Sequence, residues 1–263
     1  MINYRAEIST HEQLTESVEI NDFAYIYAPM ELFAVNVGAN SVRPKPEEIS
    51  RIIIIPPVFL GGNEPCSKLH SELSGEPRIA EKLRELKGMG FKGALAHTLG
   101  HIELIQNAGL QVHGGFRLNI TNSLSQKQYE DLGLTDGIFS VELSFKRISA
   151  IEKNIPMGIM AYGHLPLMIL RRCPVMDNKP CGKSGCEQLT DRLGNRVKTI
   201  CRYSETEILN TVPLNLSDKA INADFAVLKF APDENIAKIF NEYKSKSEPY
   251  GKFTRGLYYK KVK

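Results

Sequence analysis

The chain has 263 residues, 42% of them hydrophobic and 24% charged, with a formal net charge of +3. A chain of this size buries most of its apolar surface without disulfides or a partner, and so small a charge does not by itself argue for nucleic acid. No run approaches the ~18 apolar residues of a membrane span, and the opening Met-Ile-Asn-Tyr-Arg-Ala-Glu lacks the basic-then-apolar order of a secretory signal. The expected protein is therefore cytoplasmic and not membrane-bound, in a compartment where stable disulfides are rare.

Along the chain, short β-rich apolar runs alternate with helical segments. Tyr4 to Ile8 predicts a strand, His11 to Glu19 a helix, and Phe23 to Tyr27 a second strand. Arg51 to Pro57 holds four consecutive isoleucines, the pattern of a strand buried on both faces. Arg78 to Lys87 predicts an amphipathic helix stopped at Gly88 and Gly90. Gly93 to His97 is a fourth strand, and His101 to Asn107 a helix closed by Gly109. Leu110 to Ile120 covers a fifth strand and its exit, and Ser125 to Leu132 a helix ended by Gly133. Gly137 to Val141, Pro156 to Tyr162 and Asp224 to Phe230 complete the strands, with helices at Ser144 to Lys153 and around Glu234 to Lys244.

Strands alternating with helices imply a parallel sheet, because parallel strands need crossover connections. Eight such units in a chain of this length match a (β/α)8 TIM-like barrel, with a doubly wound open sheet as the alternative. Residues 1–263 then form one barrel domain. The rhythm breaks at 167–219, between the seventh and eighth strands, a stretch too long for an ordinary βα loop. In a barrel this insertion lies on the C-terminal face, where active sites sit.

The insertion holds four of the five cysteines, Cys173, Cys181, Cys186 and Cys201, spaced C-x7-C-x4-C-x14-C. Clustered thiols in a cytosolic chain read as a metal site. Soft thiolates suit both zinc and iron–sulfur clusters, and four of them close a tetrahedral zinc site or hold a 4Fe–4S cluster. The spacing matches neither a standard zinc ribbon nor a ferredoxin run, so it leaves the metal open. Four unrelated cysteines, or a metal that only pins the loop, are the plainer readings. Cys66, alone in Gly-Gly-Asn-Glu-Pro-Cys, reads as an ordinary loop cysteine.

The fifth strand and its exit are unusually polar. Strand alternation puts His113, Arg117 and Asn119 on one face and Phe116, Leu118 and Ile120 on the other. If the first face lines the barrel, it offers a proton carrier, a fixed cation and an amide. Glu142, at the end of the sixth strand, is a candidate base or orienting carboxylate; its plainer reading is an acid near a helix start. His97 and His164 close the fourth and seventh strands and read equally as rim residues. Arg171 and Arg172 adjoin Cys173, where cations lower a thiol pKa. Asp191 and Arg192 read as a local ion pair. The tail Thr-Arg-Gly-Leu-Tyr-Tyr, 254–259, either stacks RNA bases or packs its tyrosines on the barrel. There is no His-Glu-x-x-His, no Gly-x-Ser-x-Gly and no compact Cys/His nucleophile signature.

His113-Gly-Gly-Phe-Arg-Leu-Asn-Ile-Thr-Asn-Ser resembles the signature of the U-thirty-two peptidase family, the collagenase-like proteins. Ser140-Val-Glu-Leu, Tyr162-Gly-His-Leu-Pro-Leu-Met, Arg172-Cys-Pro, Leu189-Thr-Asp-Arg, Ile208-Leu-Asn and the 254–259 tail fit as well. The resemblance is strong over 76–259 and rests on strand pattern alone over 1–75. The family name implies proteolysis. The resemblance also implies oxygen-independent hydroxylation of RNA bases or of a related aromatic compound, in some relatives with dependence on prephenate. It further implies an iron–sulfur cluster on cysteines of this loop, with Cys173, Cys181 and Cys201 the better matches and Cys186 the looser one. His113, Arg117, Asn119 and Glu142 then line the substrate pocket, for proton transfer, anion binding and hydrogen bonding. Many relatives carry further domains, so a partner chain is a third reading, in which the barrel assists a larger enzyme. Neither DNA nor a membrane is an expected partner.

Overall fold

A computed structural model describes residues 2–33, 44–60, 76–171, 189–190, 192, 194, 196–202, 205–246, 249 and 251–259. The first half alternates strands and helices at the predicted places and adds a short helix between the second and third strands. It runs β1 (Asn3–Glu7), α1 (His11–Glu19), β2 (Phe23–Pro29), α2 (Pro46–Ile49), β3 (Ile52–Ile55), α3 (Glu76–Gly88) and β4 (Gly93–Ala96). Then come α4 (Leu99–Asn107), β5 (Gln111–Gly114), α5 (Ser123–Asp131), β6 (Leu134–Ile138), α6 (Phe145–Ile148) and β7 (Met157–Gly163). Side-chain caps start several helices. The Thr10 hydroxyl accepts from the Gln13 N–H at 3.2 Å, and the Asn122 side chain from the Ser125 N–H at 2.8 Å.

After β7 the chain forms small antiparallel pieces: β8 (Pro166–Leu170), β9 (Leu189–Thr190), β10 (Arg196–Val197), β11 (Thr199–Arg202), β12 (Glu205–Leu209) and β13 (Leu214–Asn215). It then returns to the barrel with β14 (Phe225–Lys229) and α7 (Ile236–Lys244). Strands β1 to β7 pair in sequence, in parallel; β7 pairs with β14, and β14 with β1. The sheet therefore closes as an eight-stranded parallel (β/α)8 barrel.

The alternation of side chains builds the two layers of the core. Tyr4 points outward, edge-on to Phe240 and Tyr243 of α7 at 5.3 and 6.0 Å. Its neighbour Arg5 points inward and reaches Asp136 of β6 at 2.8 Å, a pair that only the barrel interior can join. Glycines make room for large interior groups: a methyl on Gly158 would lie 2.1 Å from the Phe225 ring.

Two segments differ from expectation. The chain leaves β5 at Gly114 and turns into a 3-10 helix, Phe116–Leu118, with Asn119 left-handed at φ 54. Strand alternation therefore does not govern 116–120, and the shared face assigned to His113, Arg117 and Asn119 is corrected. The helix expected over Ser144 to Lys153 is a single turn, Phe145–Ile148.

No helix lies between β7 and β14 among the described residues. The C-terminal segment covers that side instead. Tyr258 is buried, stacks on Phe145 at 4.8 Å and donates its hydroxyl to the Met160 carbonyl at 2.8 Å. Of the two readings of the tail, packing on the barrel holds for Tyr258, while Tyr259 is exposed. No helix among the described residues is long and apolar enough to cross a membrane.

Candidate functional site at the barrel mouth

Strands β11, β12 and β8 form an antiparallel sheet, in that order, with β12 central. Charged residues on it reach down to the C-terminal ends of the barrel strands, so the sheet roofs the mouth. Arg202 donates to the Ser9 hydroxyl, just past β1, at 2.7 Å. Glu205 accepts the Val58 and Phe59 N–H groups, past β3, at 3.0 and 2.5 Å. Glu207 accepts from Arg117, past β5, at 2.6 Å and from Lys229, the last residue of β14, at 3.3 Å. Lys229 also pairs with Glu7 at the end of β1. Beyond the sheet itself, Arg171 lies over the Phe59 ring at 4.8 Å.

These contacts set the protonation states. Burial opposes ionisation of Glu207, but Lys229, Arg117 and Arg202 outweigh it and hold the carboxyl well below the usual range. Glu205 goes the other way. Burial pushes it up to about 7, with Glu207 adding to the rise and the two backbone N–H groups opposing it. Burial, then the charges of Arg117 and His101, hold the His97 imidazole well below its ordinary pKa, so it is neutral. His97 donates its backbone N–H to Nδ1 of His101 at 2.9 Å, and His101 is itself pushed down to about 4 by burial. A cavity of about 30 Å³ lies beneath the roof, lined by Glu7, His97, Ile200, Arg202, Glu205 and Glu207 among others. That is room for water rather than for a substrate.

A second polar cluster lies deeper in the lumen. His113 is fully buried, with Nδ1 3.0 Å from both Asp136 carboxylate oxygens. Arg5 bonds Asp136 and the Tyr27 hydroxyl, at 2.8 and 2.6 Å, and lies 3.3 Å from the Phe225 ring centre. Burial works against the Asp136 charge, but His113 and Arg5 together lower its pKa. The ionised Asp136 therefore fixes the proton on His113 Nδ1. His113 packs over Gly93, where a methyl would lie 2.6 Å from Nε2.

The four sequence candidates thus occupy different levels. Arg117 belongs to the mouth and His113 to the lumen beneath it. Asn119 and Glu142 are exposed, and the Glu142 N–H donates to the Ser140 hydroxyl at 3.3 Å. His164 is buried and bonds the Asn210 carbonyl through Nδ1 at 2.7 Å. Cys201 lies half-buried on β11, opposite Thr206 of β12. Cys66, Cys173, Cys181, Cys186, Arg172 and Asp191 lie outside the described residues. Among the described residues no group of three or more His, Cys, Asp or Glu side chains gathers as metal ligands. Sequence reasoning missed Arg5, Glu7, Asp136, Glu205, Glu207 and Lys229. The signal that could reveal them is charge at alternate positions of otherwise apolar strands, as in Tyr4-Arg5-Ala6-Glu7.

The molecule is a TIM-like barrel whose C-terminal mouth carries a charged roof and a cysteine-bearing insertion. Residues 73–188 match the model of Peptidase family U32. No curated protein matches the chain. Among solved structures it is similar to CutC from Streptococcus agalactiae, at 12% identity and a TM-score of 0.37, over 60% of this chain and 87% of that one. At that level the barrel assignment rests on the chain's own closed strand order.

Proposed function

We propose that the chain is a cytoplasmic iron–sulfur protein acting in oxygen-independent hydroxylation, or a related modification, of RNA bases or a similar aromatic substrate. The observation that carries this reading is the place of Cys201. Its strand neighbours Ile200 and Arg202 line the cavity beneath the roof, and strand alternation turns Cys201 to the other face of the roof sheet, so a group held there rests on the roof, one strand's thickness from the mouth. The donor chemistry fits. Cys173, Cys181, Cys186 and Cys201 are four soft thiolates, enough for a 4Fe–4S cluster or, in the alternative, zinc. When bound, a cluster supplies one-electron redox chemistry.

The chain's own residues bind and orient. Arg117 is the cation for an anionic group, exchanging Glu207 for substrate. Exposed Asn119 and Glu142 supply rim hydrogen bonds. His113 keeps its proton on Nδ1 against Asp136. The roof excludes bulk water from the groups beneath it, which strengthens their mutual interactions.

RNA from cells lacking the gene tests the proposal. Hydroxylated bases should disappear and return with the native chain but not with Cys201→Ser. An unchanged base composition would count against it. Gelatin hydrolysis by the pure protein, abolished in Glu142→Ala, would support the collagenase-like peptidase reading instead.

A further inference from the structure

A cavity of about 430 Å³ opens on the outside of the barrel, beside the C-terminal end of β7. Its origin is topological. The chain between β7 and β14 forms strands rather than a packing helix among the described residues, so β7 is covered by α7 on one side and the C-terminal segment on the other. The seam between them leaves the space. Tyr162, Tyr243 and Phe253 supply aromatic walls, and Lys238, Lys252 and Glu242 stand among the lining residues.

Two observations point to a ligand. Tyr243 is only 4% exposed, yet its hydroxyl makes no hydrogen bond within the protein among the described residues. A buried tyrosine hydroxyl ordinarily finds a partner. Tyr162, by contrast, donates its hydroxyl to Glu234 at 3.1 Å. Second, Lys238 and Lys252 are exposed and pair with no carboxylate among the described residues, leaving two cations at one aromatic-walled cavity. The volume lies within the range of small-molecule sites.

We infer that this seam binds a small aromatic anion, its ring between the aromatic walls and its acidic group on Lys238 and Lys252, with the Tyr243 hydroxyl as a donor. Glu242 opposes the ligand's charge and limits its affinity. The site requires no metal at the cysteines and is independent of the reaction proposed for the mouth.

The test is a fluorescence titration with 1-naphthoate, and with 1-naphthalenemethanol as the neutral analogue. The expected result is saturable one-to-one binding of the acid and much weaker binding of the alcohol. Tyr243→Phe should weaken the acid about tenfold, the usual scale for a hydrogen bond to a charged group. Lys238→Glu should also weaken it, Glu242→Gln should strengthen it, and Ile239→Trp, which fills the cavity, should abolish it. The surface variants Lys238→Glu and Glu242→Gln keep the test valid if a core variant unfolds. Absence of saturable binding, equal binding of acid and alcohol, or affinity indifferent to both surface variants would overturn the inference.

Discussion

Glu205 titrates near neutrality because burial beside Glu207 outweighs the two backbone N–H groups that it accepts. Its folded pKa, about 7, lies above the ordinary 4.5, so the folded state holds the extra proton. The resulting stabilisation is complete below the ordinary pKa and is lost as the pH rises through 7. Relative to Glu205→Gln, the native chain should therefore lose roughly 3 kcal/mol between pH 4.5 and 8, since each tenfold change in acidity is worth about 1.4 kcal/mol. Urea unfolding across that range measures the difference, and a flat difference contradicts the assignment. His101 works in the opposite direction. Its pKa is lowered to about 4, so it destabilises the fold as the pH falls below its ordinary 6.5. In the lumen, Asp136→Ala strips the partner from both Arg5 and His113. It should cost about 3–5 kcal/mol, the scale for leaving a buried charge uncompensated, and a loss below about 1 kcal/mol in thermal unfolding would refute the network.

At the scale of elements, the roof sheet is held to the barrel by polar contacts at the exits of four strands, β1, β3, β5 and β14. Glu207 serves two of them. Glu207→Ala should release β12 and β11 selectively, seen as faster amide exchange there than in β1 or β2. Equal protection in both sheets would show that the roof stands without it. Gly163 ends β7 at φ +113, and a methyl there would lie 2.0 Å from the Lys229 carbonyl oxygen. Gly163→Ala combines backbone strain with overpacking and should cost about 3 kcal/mol or more by chemical denaturation.

The barrel strands are legible in the sequence because strands covered on both faces read as continuous apolar runs, as Ile52–Ile55 does. The helix His11–Glu19 forms where the sequence predicts it, and the structure adds its Thr10 cap. The segment after Gly114 is not. Its polar and apolar residues alternate like a strand, and only the turn at Phe116–Leu118 and the left-handed Asn119 break that pattern. Of the site, Arg117 is legible from its motif. Glu205 and Glu207 escape sequence reasoning because their partners, Val58, Phe59, Arg117 and Lys229, are distant along the chain, and only the closed fold brings them together.

Over the whole molecule, the parts follow one division. Among the described residues, seven helices and the C-terminal segment cover the barrel's outside, while the lengthened βα connection between β7 and β14 serves the mouth. That connection carries four of the five cysteines, of which Cys201 lies on the roof strand β11. Whether those thiols hold the proposed cluster is therefore the central question. Anaerobic purification followed by absorption, iron, sulfide and zinc analysis decides it most directly. The prediction is a broad band near ~400 nm with about four irons and four sulfides per chain, as for a cubane on four cysteines, lost in each single cysteine-to-serine variant. A colourless protein with about one zinc per chain, as in a closed structural site, or a chromophore that survives in all four variants, would contradict it.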